Sequence, residues 1–445
     1  AIWPLLQEVG GHKAFLGFVV ASYSLGQAIG SPIFGWWATR TANWIPFMFC
    51  SVPVILGNFL YSLTGILPEG HAAEGWMLVS RLITGIGGGI VAVSRSYTAG
   101  ATPVKDKRAA LTALAAFQAL GFVVGPCFAA VFTVIGCGFK LSGNWRIDYT
   151  TLPAWMGLGL GALNTYIVHR YFKEAKQVRA ARTLRLMKNR SKKSKLEVEM
   201  SSLSSDAEGS DSNGVSNEKA PAVDLSYDRI GVFVIILCSF FAFGVFSLFE
   251  TIGPIIIQDE YGWSPKKSQR VFSMLLAMAA TLGIPVFIVI KKVAAKIGNR
   301  QTLLVGLACL IISFFFMFPF GPDDRTGKLV DDQEESESKL CTDSASNAPP
   351  PPLSDDDEDA QEEYSCTEGW CDDTPGLPFG EFVAGAIFVA AGFAICNVMI
   401  TITLSMMTGP GPQGIVMGYM TSANSFSRMA YPGLVTVVYT NLGPR

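Results

Sequence analysis

Four charged side chains lie inside long apolar runs: Arg81 and Arg95 in RLITGIGGGIVAVSRSYTAGAT, Glu250 in LFETIGP and Arg428 in TSANSFSRMAYP. A charge at the centre of a bilayer costs about 2.5–3.5 kcal/mol on insertion scales, so such a group faces a cavity or a partner. Three cations against one acid suit an anionic solute. The acid could carry a proton, because burial favours the neutral form of a carboxylate. Weaker polar interruptions accompany the charges: Tyr23 and Gln27 in ASYSLGQAIG, and Gln118 in FQALGF. These three read either as helix–helix hydrogen bonds or as solute contacts. Thr421, Asn424, Ser425 and Arg428 recur at i, i+3, i+4 and i+7, which is one helical face. A polar stripe of that kind in a membrane helix lines the bundle interior.

Arg81 and Arg95 are fourteen residues apart, about 21 Å along a continuous helix. At 3.6 residues per turn they share one side, with Gly85, Gly88 and Ala92 between them. Either the glycines serve close helix packing while the arginines snorkel toward headgroups, or the stripe faces a solute. Glu250 precedes Gly253 and Pro254. Pro254 has no N–H for the carbonyl four residues back, so the expectation is a kink or break, as in the discontinuous helices of transporters. A permanently paired structural glutamate is the alternative.

The elements that must hold these groups are membrane spans. Half of the residues are hydrophobic, 16% are charged, and mean hydropathy is +0.35. Soluble domains carry roughly 25% charge. The apolar residues collect into blocks long enough for a hydrocarbon core of about 30 Å, predicting helices near 14–37, 45–66, 76–99, 109–136, 151–171, 229–257, 270–290, 301–320, 380–407 and 415–440. The opening AIWPLL reads as the end of a truncated span, and no apolar block follows NLGPR, so the chain reads as an excerpt lacking its first and last spans.

A net charge of −2 conceals strong asymmetry. Segment 170–195 has eleven Lys or Arg against one Glu, and VKDKR (104–108) and KKVAAKIGNR (291–300) are also basic. The loop 321–378 is acidic, with DDQEESE and SDDDEDAQEE. By the positive-inside rule the basic segments are cytoplasmic, which puts the acidic loop on the lumenal or extracellular side. Three domains follow: a helical bundle at 1–171, a basic then Ser-rich linker at 172–227 with too few apolar residues to fold alone, and a second bundle at 228–445. The linker is either a simple tether or a phosphorylation-tuned patch for anionic lipid. Most of the nine cysteines fall in spans. Cys341, Cys366 and Cys371 fall in the acidic loop and are disulfide candidates, since an oxidising compartment favours pairing.

Basic turns after the second span (WWATRTANW) and the eighth (KKVAAKIGNR) suggest a duplicated six-helix unit. The chain resembles the major facilitator superfamily over nearly all of its length. Of that family's loop signature G-x-x-x-D-R-x-G-x-R, Gly35 and Arg40 match, while Thr39 replaces the acid. Lys296, Gly298 and Arg300 match the second copy, again without the acid. RLITGIGG resembles the fourth-helix motif through Arg81, Gly85 and Gly87, and GFVVGP the fifth-helix motif through Gly121, Gly125 and Pro126. Further stretches, GPGPQGIVMGYMTSANSFSR among them, resemble a lysosomal branch of the family. The resemblance implies an all-α polytopic membrane protein with two pseudo-symmetric six-helix bundles. It also implies an endolysosomal location and a transporter or a chloride-conducting channel.

Other classes fit poorly. GIGGGI has Ile90 where a dinucleotide loop needs its third glycine, and no Walker motif occurs. The three histidines lack metal spacing, and aromatic and basic residues do not interleave as nucleic-acid binding requires. The expectation is a carrier, not an enzyme, without cofactor or metal, in contact with membrane lipid and moving a small anionic solute or chloride with protons as a candidate coupling ion. Its rivals are an anion channel on the same fold and a non-transporting membrane scaffold.

Overall fold

Hydrocarbon offers no hydrogen bonds, so each apolar run must satisfy its own backbone groups, and a helix does so within one segment. In the computed structural model the helices run in chain order as α1 (Lys13–Arg40), α2 (Trp44–Ser62), α3 (His71–Gly87), α4 (Ile90–Ala101), α5 (Val104–Ile135), α6 (Leu152–Tyr171), α7 (Arg229–Tyr261), α8 (Pro265–Ile297), α9 (Asn299–Met317), α10 (Phe379–Met407) and α11 (Gly414–Leu442). The described residues are 5–6, 13–67, 70–135, 139–142, 145–147, 150–175, 228–263, 265–318, 376–409 and 413–442, with isolated positions at 178, 183 and 187. Most of the linker, most of the acidic loop and Cys341, Cys366 and Cys371 lie outside them. Trp44–Ser62, His71–Ala101, Arg229–Tyr261, Asn299–Met317 and Phe379–Met407 are long and apolar enough to cross a membrane.

Every predicted span coincides with helix, with two differences in detail. The run expected as one helix over 76–99 is interrupted by a turn at Gly88–Gly89, which separates α3 from α4. In the other direction, α7 continues without interruption through Pro254, so the expected break does not occur. Gly253 there lies against the Phe272 ring, where a Cβ would overlap it. Between α5 and α6 the chain forms a short antiparallel hairpin, β1 (Phe139–Ser142) and β2 (Trp145–Ile147), pairing Phe139 with Ile147 and Lys140 with Arg146.

The glycine-rich run is a packing device. A Cβ on Gly85 would overlap the Tyr23 carbonyl of α1, and one on Gly87 would overlap Val54 and the Cys50 carbonyl of α2. The helices therefore approach at backbone distance, as small residues permit in membranes. Gly85→Val is expected to cost about 3 kcal/mol, at the upper end of overpacking, because the obstacle is backbone and cannot rotate away. The midpoint of thermal unfolding in detergent would fall accordingly, whereas Gly75→Val, where a Cβ meets nothing within 4 Å, should leave it unchanged.

The ends of the molecule differ in how they pack. The basic face carries the short turns after α1, α4, α8 and α10. Contacts joining α1–α6 to α7–α11 run from the middle of the molecule to this face. Gly35 abuts Gly414, Gly418 lies against Ser31 and Pro32, and the Ser422 hydroxyl donates to the Ala28 carbonyl. One buried cluster joins Ala99 and Leu111 to Phe287, Ile290, Ala294, Met399, Met417 and Met420. Toward the opposite, acidic face the clusters separate. Leu5, Leu6, Val19, Tyr61, Met77 and Ala154 form one, and Phe249, Ile257, Phe272 and Phe382 form another. Gly121 and Gly125, in the acidic-face half of α5, have no atom within 4 Å of a built Cβ. Among the described residues, the two halves join in one cluster at the basic face and form separate clusters toward the acidic face.

Candidate solute-binding cavity

At the inner end of the basic-face seam lies a cavity of about 40 Å³ lined by Gln27, Val91, Arg95, Gln118, Phe243, Phe393, Asn397, Thr421, Asn424, Ser425 and Arg428. Five elements besides α4 supply these groups: α1, α5, α7, α10 and α11. α4 itself contributes Val91 and Arg95. Arg95 is 4% exposed. Its Nη2 donates to Gln118 Oε1 at 3.3 Å and to Asn397 Oδ1 at 3.1 Å. No carboxylate lines the cavity, and Arg95 has no ion pair among the described residues. A buried guanidinium held only by neutral amides retains its whole charge.

The α11 stripe supplies the opposite wall, and all four of its polar members reach the cavity. Ser425 donates to Gln27 Oε1 at 3.0 Å, and Gln27 Nε2 donates to the Gly88 carbonyl at 3.2 Å, tying α11 to α1 and to the turn before α4. Asn424 Oδ1 accepts from Ser239 of α7 at 2.6 Å. Arg428 is half-buried, with no hydrogen bond or ion pair among the described residues. The apolar wall is a stack of three rings. Phe246 lies parallel to Phe393 with centroids 4.3 Å apart, and Phe243 meets Phe393 edge-on at 4.9 Å.

Arg95, Arg428, Gln27, Gln118 and Asn424 are thus brought together, while the other expected pathway residues lie elsewhere. Arg81 and Arg95 line different cavities, as fourteen residues of helix, about 21 Å, place them at different depths. Arg81 lines a separate cavity of about 70 Å³ with Asn58, Tyr61, Thr150, Pro153 and Ala154, its guanidinium 4.9 Å from the Tyr61 ring centroid. Tyr23 is half-buried and contributes its backbone to the Gly85 contact. Glu250 is exposed and absent from the lining. It lies seven residues from Phe243, on the same face of α7 and about 10 Å nearer the acidic face at 1.5 Å per residue.

Of the motif residues, Gly35 is buried in the basic-face seam against Gly414. Arg40 is exposed, its guanidinium 4.2 Å from the Trp36 ring centroid. Lys296 and Arg300 are exposed on either side of Gly298, whose φ of +91° turns the chain into α9. Gly121 and Gly125 are exposed, and the Pro126 side chain lies outside the described residues. Asn397 and the phenylalanine wall escaped the sequence reading. Asn397 carried the same signal as Gln118, a lone amide in an apolar run (FAICNVMI).

The Major Facilitator Superfamily model matches residues 1–330. Major facilitator superfamily domain-containing protein 8 of Xenopus laevis is 33% identical over 453 residues, spanning 100% of this chain and 82% of that protein. An SPX domain-containing membrane protein of Oryza sativa subsp. indica is 28% identical over 149 residues, 34% of this chain and 20% of its own length. In fold, the chain is similar to the human organic anion transporter MFSD10 (TETRAN), with TM-score 0.61 at 15% identity over 100% of this chain and 84% of that one. It is also similar to the proton:xylose symporter XylE, with TM-score 0.59 at 12% identity over 96% and 82%. Family model, full-length relative and shared fold agree: the chain belongs to the major facilitator superfamily, multi-pass membrane carriers that are not enzymes.

Proposed function

We propose that this carrier moves a small anion by alternating access, with the central cavity as its solute site. The observation that supports this most is Arg95, a buried guanidinium without a carboxylate, sharing a cavity with Arg428 that contains no acid. A cavity of about 40 Å³ holds a few water-sized particles, room for a halide or the acid group of a larger solute whose remainder stays outside. The structural similarity to an organic anion transporter is consistent with this. The bundles 1–171 and 228–445 would rock about the site. With the basic face cytoplasmic by the positive-inside rule, the joined basic face supports a conformation closed on the cytoplasmic side. The acidic loop, and the stretches such as GPGPQGIVMGYMTSANSFSR that resemble a lysosomal branch of the family, support the endolysosomal membrane as location.

Proton coupling through Glu250 belongs to the same proposal. Its exposure and its place on the Phe243 face of α7, nearer the acidic face, support a role on the path to the cavity. In proteoliposomes an acid lumenal-side pH should accelerate anion movement from that side, and Glu250→Gln should abolish the acceleration while leaving flux at symmetric neutral pH. Flux that ignores the gradient in the wild type sinks the coupling. Planar-bilayer recording separates the carrier from an anion channel: unitary currents in the picoampere range would require a continuous wet path instead of a rocking cycle.

A further inference from the structure

We infer that the central cavity selects small divalent oxyanions, of the class of sulfate or a compact dicarboxylate, over monovalent anions of the same shape. This rests on reading the cavity as the solute site and adds the charge of the solute it takes. The argument is one of charge balance. Arg95 and Arg428 line the same cavity of about 40 Å³, and no carboxylate lines it with them. Neither has an ion pair among the described residues. Both keep their charge, because arginine does not deprotonate in proteins. Glu250, the acid on the Phe243 face of α7, is exposed and outside the lining. The empty cavity therefore holds two positive charges. A monoanion leaves one of them uncompensated, and a dianion compensates both.

The two charges also come from opposite halves of the molecule, Arg95 from α4, before the linker, and Arg428 from α11, after it. Like charges that share a cavity repel, and in the low dielectric of a protein interior they do so more strongly than in water. A dianion that reaches both converts the repulsion into two attractions, so the halves can close about it. A monoanion does this on one wall only. A second charge also makes an anion costlier to strip of water, and the lining offsets that cost. Six neutral polar side chains accompany the guanidiniums. Both hydrogen bonds of Arg95 leave from Nη2, so the rest of its N–H fork can meet oxyanion oxygens, the contact in which a guanidinium is strongest. At about 10–15 Å³ for each water-sized particle, the cavity takes about three or four, the space of an oxyanion with four oxygens.

The test measures uptake of radiolabelled sulfate and chloride by the full chain in proteoliposomes at symmetric neutral pH, with unlabelled sulfate and perchlorate as competitors. The competitors share a tetrahedron of four oxygens and differ by one charge. Perchlorate is the more weakly hydrated, so it wins wherever hydration alone decides. Sulfate should compete at least about tenfold more strongly, the factor that corresponds to one hydrogen bond to a charged group. Arg428→Gln should bring the two close to parity, while Arg428→Lys, which keeps the charge, should preserve the preference; the wild-type ratio decides if neither variant folds. Equal or stronger competition by perchlorate, in protein whose uptake is lost on Arg95→Gln, overturns the selectivity and leaves the solute site standing. A preference for sulfate that survives Arg428→Gln overturns it as well, since Arg428 then does not read the second charge. Uptake of neither anion, or uptake unaffected by Arg95→Gln, removes the site itself.

Discussion

Arg95→Gln is expected to lower anion flux by roughly a hundredfold or more while leaving the protein as stable as before, or more so. The two halves of that result have separate causes. A charge that binds a desolvated anion contributes about 2–5 kcal/mol when its partner is present, which sets the loss of flux. Without the anion the same guanidinium is buried against neutral amides, and an uncompensated buried charge is a liability. Glutamine fills similar space and keeps a donor for Gln118 and Asn397 without carrying that charge. Thermal unfolding in nanodiscs at low and high anion concentration reads both effects. Wild-type protein should gain stability as anion is added, because ligand binds only the folded state, and the variant should start at or above the wild type and gain nothing. A variant that unfolds markedly earlier without anion would mean that Arg95 is a structural residue whose amide contacts hold the bundle.

Gly35→Val should break the seal at the basic face. Gly35 and Gly414 face each other so closely that a Cβ on either overlaps the carbonyl of the other. Rotamer changes cannot relieve a clash with backbone, and separation of α1 from α11 is the remaining response. The equilibrium then moves toward the conformation in which these ends are apart, by as much as the clash disfavours the sealed one. A cysteine placed at Gln413, which is 3% exposed, reports the change through a membrane-impermeant maleimide applied from the basic side. Labelling should rise at least about tenfold over the glycine parent, the ratio that about 1.4 kcal/mol between two states produces, and net flux should fall because one state is now disfavoured. Unaltered labelling would show that α1 and α11 yield elsewhere along their length.

The sequence was most legible where a single physical rule dominates. Ten apolar blocks became helices because hydrocarbon permits little else, and Thr421, Asn424, Ser425 and Arg428 share the cavity wall because α11 is continuous around them. Legibility failed where periodicity stood in for proximity. A shared face suggests a shared site, but Arg81 and Arg95 are separated along the axis and line different cavities. Pro254 misled in another way, since one missing N–H does not end a helix held by packing on both sides. Asn397 was readable in principle from its isolation in FAICNVMI. Its pairing with Arg95, about three hundred residues away in sequence, depends on tertiary structure that no local pattern encodes.

The seam between Gly35 and Gly414 also decides which surroundings the carrier can sense. Among the described residues it is made of backbone contact, serine hydroxyls and apolar side chains, with no ion pair. Ionic strength acts on exposed charges through screening within about a Debye length, and the seam contacts themselves are uncharged. Salt on the basic side should therefore act on the closed latch only through the exposed charges around it, such as Arg40, Lys296 and Arg300. On the proposed reading, exposed Glu250, nearer the acidic face, is where outside pH would reach the conformational cycle, so the two compartments would act on the carrier through different chemistry.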